Sequence, residues 1–370
     1  MKNEKGIVGI REYVALILLM VGVKLSDDTP VHFFEKMKTT GWMAPIIIAV
    51  ISLLPILLLV KVMTNYKDKN LHDVNIHLFG KKIGIIVSMV LWLAGSFSIA
   101  TDSRIYVDTI GTMYFTSTPT LVIYLILMGV CAYGAKKGIQ HIGSVAWLLI
   151  SYVKISLLLT FLLILQQSNI NHIFPFWGPG PLETVKEASI KTSIYADFLF
   201  LALIAPYIKG PKEYKKGTWI AFAIVSVELT ISFLLFLLMF DYVPIQMMNY
   251  PYHESLRLLT FGTSLASIET IFFPVWLIAT FVRFAAYLYL SAILFGGIFK
   301  IKEFEYIIPS LACLFILVGM IPETPSHTIF VLRDWNLTML TPLFLIFPII
   351  LWSVAKLKGE FKHEKSLHKT

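Results

Sequence analysis

Charge is what this sequence is short of. Only 15% of its 370 residues are Asp, Glu, Lys or Arg, against 57% hydrophobic, and the mean hydropathy is +0.75. Those values exclude an ordinary soluble domain and a disordered chain. Cysteine is nearly absent as well. Cys131 and Cys313 lie in apolar runs without metal-ligand spacing, which removes a disulfide framework and a zinc site and leaves packed thiols as the expectation. Histidine is missing from the apolar windows: all nine, His141 and His172 among them, fall outside or at their edges. The usual general base is therefore absent from the membrane interior, and no HExxH, GxSxG or paired-cysteine pattern replaces it. The expectation is a protein that is not an enzyme and uses no metal or cofactor. The first apolar run, VGIREYVALILLMVGV, ends in KLSDD without a small-residue cleavage site, so no cleaved leader is expected. The net charge of +8 does not imply a nucleic-acid partner, because the basic residues cluster in short segments between apolar runs.

What the chain has is oil. Windows long enough to cross about 30 Å of hydrocarbon fall near 8–25, 43–63, 83–107, 119–135, 142–166, 190–208, 218–240, 266–298, 306–321 and 339–356. These predict an all-α integral membrane protein with ten transmembrane helices in a single domain. One set of alternate segments holds Lys2, Lys5, Lys61, Lys67, Lys69, Lys81, Lys82, Lys136, Lys137, Lys209, Lys212, Lys215, Lys216, Lys300, Lys302 and the lysines of a basic tail over 357–370. The other holds only Lys36, Lys38, Lys186, Lys191, Arg257 and Arg333. That asymmetry places both termini in the cytoplasm of a multi-pass membrane protein. The longest outer loops, 167–189 and 241–265, are punctuated by Pro and Gly and read as ordered caps with short helices.

Ten spans divide into repeat one (about 8–166) and repeat two (about 190–356). An odd number per half forces the halves into opposite topology, the requirement for a five-plus-five inverted repeat. The first span of each half is interrupted. In LLMVGVKLSDDTPVHFF, Gly22 and the polar KLSDDT weaken the helix until Pro30 restarts it; in YADFLFLALIAPYIKGP, Pro206 removes a backbone donor and Gly210-Pro211 ends the segment. Paired breaks in helices 1 and 6 point to a binding site between them, with a plain proline kink and an early helix end as the alternative.

Several stretches carry a resemblance: RIYVDTIGTMYF with TPTLVIYLILMGV, AYGAKKGIQHIG, IFPFWGPG, PYHESLRLLTFG, and IETIFFPVWLIATFVRFAAYLYLSAILFGGIFKIKEFE. In this order, over nearly the whole chain, they resemble the endospore germination permeases, the B subunits of GerA-type spore germinant receptors, in the amino acid/polyamine/organocation superfamily. The resemblance implies a LeuT-like fold and a place in the spore inner membrane. It implies an A subunit and a lipoprotein C subunit as partners, and a small germinant, commonly an amino acid, as the ligand that is sensed.

Ionisable residues inside spans are functional hypotheses by default. Lys154 (span 5), Glu228 (span 7) and Arg283 (span 8) lie near the centres of their windows and are assigned to coupling or gating. A lysine at a helix centre costs about 2.5–3.5 kcal/mol on an insertion scale, which its apolar neighbours offset. Lys154 resembles the span-5 lysine that stands at the sodium position in proton-linked relatives of the LeuT fold. An amine out of water can exchange a proton, which a guanidinium cannot. A static Lys154–Glu228 ion pair is the competing reading. On span 3, Arg104 and Asp108 are spaced to pair, leaving Asp102 with Ser98 and Tyr106 as a polar stripe, either a ligand-amine contact or solvated rim. Lys24 either supports a ligand carboxylate near the restarted helix or pairs with Asp27 or Asp28. Asp197 either receives a ligand ammonium or caps the break. The expected ligand-binding set is Gly22, Val23, Lys24, Ser26, Ser98, Asp102, Asp197, Leu201, Phe273 and Trp276, the last because span 8 lines the site in the fold that the resemblance implies. Other tryptophans, Trp92, Trp147 and Trp352, read as interfacial anchors or core. The expected function is a germinant-sensing subunit; the alternative is a proton-coupled amino acid transporter with Lys154 as its protonation site.

Overall fold

The computed structural model describes residues 8–259 and 269–361. Among them every regular element is helical, and the single β-type contact is an isolated parallel bridge between Val8 and Ile208. In that bridge Val8 N–H donates to Tyr207 O (2.8 Å) and Lys209 N–H to Val8 O (3.1 Å).

The chain opens with α1 (Ile10–Met20), a 3-10 turn (Gly22–Leu25) and α2 (Thr29–Met37). There follow α3 (Ala44–Asn65), the short α4 (Leu71–Phe79), α5 (Lys81–Met113), α6 (Thr120–Lys136) and α7 (Ile139–Gln166). Next come α8 (Pro181–Ile190), a 3-10 turn (Thr192–Tyr195), α9 (Asp197–Leu201) and a second 3-10 turn (Ala202–Tyr207). The chain then runs through α10 (Pro211–Phe240), α11 (Tyr242–Ile245), α12 (Pro251–Leu258), α13 (Glu269–Phe299) and α14 (Ile308–Gly319). It ends with α15 (Pro325–His327), a π-helical turn (Thr328–Arg333) and α16 (Asp334–Leu357). Among the described residues, six helical segments are long and apolar enough to cross a bilayer; the bent pair Pro181–Ile190 and Thr192–Tyr207, which meet at 49°, makes a seventh if read as one span. α6 and α14 are apolar but shorter.

Helix faces follow from residue size and polarity. In α5, Ile83, Ile86, Val90 and Leu93 form an exposed aliphatic stripe while Gly84, Ser88, Leu91 and Gly95 are buried opposite, the small-residue packing of a membrane bundle. A Cβ on Gly95 would stand 2.8 Å from the Phe200 ring, so only glycine lets α5 approach α9 this closely. Beyond Ile99 the stripe ends, and every residue of α5 through Ile110 is buried. α13 is buried continuously from Val282 to Leu294. These two segments run through the middle of the bundle, where they meet the interrupted helices.

Two sequence expectations change. The last span does not begin near 339: the helix is continuous from Pro325, and a hydropathy window misses it because Arg333 finds ionic partners within the bundle and the half-buried Asp334 pairs with Lys191. The cysteines also differ, Cys131 being buried as expected and Cys313 exposed on α14. The loop expectation holds over the described part, since 167–189 and 241–259 carry short helices.

Candidate solute site between the interrupted helices

The first interruption arises where α1 ends at Met20 and the chain turns through one 3-10 loop before Pro30, in the first turn of α2, restarts the helix. The second spans 192–207, a 3-10 turn, five α-helical residues and another 3-10 turn that contains Pro206. Lys24 reaches from the first break to the second. Its Nζ donates to Ile194 O at 2.7 Å and forms a short ion pair with Asp197 Oδ2. Tyr287 on α13 donates its hydroxyl to the other Asp197 oxygen at 2.5 Å. Lys24 therefore pairs with neither Asp27 nor Asp28. The reason is spatial: those two carboxylates face the arginines.

Arg283 is fully buried. Its guanidinium contacts Asp102 (3.1 Å) and Asp27 (3.6 Å), hydrogen-bonds the Tyr106 hydroxyl and lies 5.0 Å over the Tyr106 ring. Arg333, delivered by the π turn, bonds the remaining Asp102 oxygen and approaches Asp27 and Asp28 at 3.9 Å. π turns recur at functional positions. The network extends outward. His32 Nε2 meets Asp28 at 2.8 Å, and Lys191 bonds both His32 O (2.9 Å) and Asp334 (2.5 Å). Each charge is answered by another, the condition for holding ions in a low-dielectric interior. Asp102 is thus no leftover carboxylate, and Arg104 pairs with Asp108 at 2.9 Å as its spacing predicts. His32 corrects the expectation that no histidine enters the bundle: it is 1% exposed on the restarted helix, which the window 8–25 had stopped short of.

Below this network lies a cavity with about 650 Å³ of empty space, its open mouth included. Its walls come from the first break (Lys24), α5 (Trp92, Ser96, Ser98, Ile99, Asp102) and the second break (Ser193, Asp197, Phe200). α13 adds Tyr287, Leu290 and Ser291, and the last span adds Arg333, Asn336, Leu337 and Leu340. A mostly apolar wall with a few placed polar groups is what small-molecule sites share.

A smaller cavity on the other side of the first break is lined by Gly22, Val23, Ser26, Lys154 and Trp276, among others. Here Lys154 Nζ meets Glu228 Oε2 at 2.5 Å. A Cβ on Gly22 would lie 3.4 Å from that carboxylate oxygen and 4.0 Å from the amine. Trp276 stacks on Tyr106 (centroids 5.4 Å, planes 5° apart) and donates Nε1–H to Ser26 Oγ at 2.9 Å, which fastens α13 to the break.

Of the sequence-derived ligand set, Lys24, Ser98, Asp102 and Asp197 therefore meet at the larger cavity, and Gly22, Val23, Ser26 and Trp276 at the smaller. Leu201 is buried and lines neither, while Phe273 stacks on Tyr114 at 3.9 Å and also lines neither. Lys154, Glu228 and Arg283 do not form one unit. The first two pair beside Gly22, whereas Arg283 belongs to the Asp102 network. Sequence reasoning passed over Arg333, Tyr287, Asn336 and Lys191. An arginine one turn before an unbroken apolar helix was the available signal for the first.

Two interrupted spans joined side chain to side chain, with long helices closing a cavity around them, define a multi-pass membrane protein of the transporter-fold class. Solved structures agree on the fold. The chain superposes on the nucleobase–cation symporter Mhp1 with a TM-score of 0.67 at 13% identity, covering 92% of this chain and 78% of that one. It superposes on a mutant of the Eremococcus coleocola manganese transporter with 0.56 at 14% identity, over 92% and 77%. A family model described as spore germination protein matches residues 13–328, and the chain belongs to that family. Its relatives include two Bacillus subtilis (strain 168) proteins. Spore germination protein KB is 22% identical over 98% of both chains, and spore germination protein YndE is 19% identical over 87% of this chain and 88% of that one.

Proposed function

We propose that this chain is the membrane-embedded, non-catalytic sensing subunit of a spore germinant receptor, and that a small solute binds in the larger cavity between the two breaks. The bundle is read as ten crossings in two opposed sets of five, both termini cytoplasmic, in the spore inner membrane. An A subunit and a lipoprotein C subunit would read the outcome. The observation that carries the reading is the Lys24–Asp197 pair, which links the two interrupted helices at the cavity wall. A solute lodged there bears on both breaks at once, and only a solute that favours one arrangement of the bundle over the other acts as a signal. The amino acid that the family resemblance implies is one candidate class. A thermal-shift screen of the purified protein against common amino acids, sugars and nucleosides tests the site. Ligands that raise the melting temperature should lose the effect in Leu340→Trp, which crowds the cavity from its wall, and a full set of non-binders would refute it.

The second reading, a proton-coupled amino acid importer, is favoured by one observation: the Lys154–Glu228 pair abuts Gly22 at the first break. Concentrative uptake into proteoliposomes under an imposed proton gradient, abolished by Lys154→Ala, supports it. Saturable binding without accumulation supports the sensor.

A further inference from the structure

We propose that the larger cavity selects an uncharged solute, one that offers hydrogen-bond acceptors from an apolar body, and that Lys24 fills from within the position a ligand ammonium would take. The inference rests on the reading of that cavity as the solute site and narrows its ligand.

An ammonium group entering between broken helices seeks a carboxylate and a free main-chain carbonyl. Both are present, and both are occupied. Lys24 Nζ holds Asp197 Oδ2 and Ile194 O, and Tyr287 holds the other Asp197 oxygen. A ligand carboxylate would seek a cation, and the arginine at the wall is committed in the same way. Arg333 and Arg283 divide the two oxygens of Asp102 between them. From the first break only Lys24 reaches the cavity wall, and at the second Ser193 N–H already bonds Thr341 Oγ1 at 3.0 Å. A zwitterion would therefore have to break buried, compensated pairs and leave charges without partners, which is strongly unfavourable.

Arg333 Nε has no hydrogen-bond partner but stands 3.9 Å from Asp28 Oδ1 inside the ion network, and the other unmatched groups at the wall are neutral donors. Asn336 is 2% exposed and its Nδ2 has no acceptor, while its Oδ1 shares the single Ser98 hydroxyl hydrogen with Ala94 O, each at 3.1 Å. Ser96 Oγ is also unpartnered. Ser291 Oγ accepts the Trp92 indole N–H at 3.0 Å, which leaves its own hydroxyl hydrogen to give. Unsatisfied buried donors discriminate sharply, because a ligand without acceptors leaves them unpaired. Leu290, Leu337 and Phe200 provide the apolar counter-surface.

The test uses the full-length protein in lipid nanodiscs and three probes that share a 3-methylbutyl body: uncharged 4-methylpentanamide, zwitterionic L-leucine and cationic 3-methylbutylamine. Calorimetric titration should give saturable binding of the amide and at least tenfold weaker binding of the other two. Asn336→Leu should weaken the amide at least tenfold. Lys24→Met removes the internal ammonium and exposes Asp197, so it should raise affinity for 3-methylbutylamine at least tenfold in protein that still unfolds cooperatively. L-leucine binding as tightly as the amide, or no amine gain in the Lys24→Met protein, overturns the proposal. If L-leucine binds and Leu340→Trp abolishes it, the ligand class fails and the solute site stands. If none of the three binds at millimolar concentration, the ligand class fails, and the broader screen decides the site.

Discussion

Lys24 and Lys154 are both lysines set among apolar residues, and their surroundings differ. Lys24 is 5% exposed, holds a carboxylate and a main-chain carbonyl, and stands beside a network that ties the first break to α5, α13 and the last span. Lys154 has one ionic partner among the described residues, and its side chain is 28% accessible beside a small cavity. A charge with several buried partners is held in place, because moving it strands all of them. A charge with one partner strands only that partner when it moves. The first lysine is read as architecture that shapes a site, the second as a contact able to change between states.

The comparison can be broken at several points. The largest effect is expected from Arg283→Met, which leaves Asp102 and Asp27 short of a cation in a dry interior and should cost about 3–5 kcal/mol, seen as a large fall in the unfolding midpoint in nanodiscs. A midpoint unchanged from the parent would mean that the network is not structural. Next, Gly22→Leu should push Glu228 and Lys154 apart at a cost of about 1–3 kcal/mol, whereas Gly22→Ala, whose Cβ meets Glu228 at ordinary contact distance, should nearly retain the parent midpoint. A double-mutant cycle of Lys154→Ala and Glu228→Gln should give a coupling of only about 1 kcal/mol; a coupling as large as the Arg283 effect would erase the distinction between the two lysines. The smallest change is set by Lys186, paired with Glu183 at 2.9 Å on the exposed face of α8: Lys186→Ala should not shift the midpoint measurably.

Much of the bundle was legible because lipid demands long apolar helices. The breaks were legible too, because Gly22 is followed by the polar KLSDDT and Pro206 by Gly210-Pro211, whereas a lone proline such as Pro55 or Pro274 stays inside an unbroken helix. Lys154 and Glu228 could be nominated as partners because each lies alone in its window. The outer network could not be read the same way. Asp27, Asp28, His32, Arg333 and Asp334 occur in polar-looking stretches at span edges, and a hydropathy window treats such stretches as loop. Only the folded arrangement shows that these charges pair with one another and with Arg283 and Lys191. Tyr287 and Asn336 gave no signal, since a tyrosine or an asparagine in a helix does not disclose which cavity it faces.

The bridge between Val8 and Ile208 bears on how these parts move. It straps the foot of one broken helix to the foot of the other through two main-chain bonds, so a tilt in either is passed to its counterpart without any side chain taking part. Replacing Val8 by proline would cut the bond its N–H donates and leave the one its carbonyl accepts, so the strap would loosen without being lost.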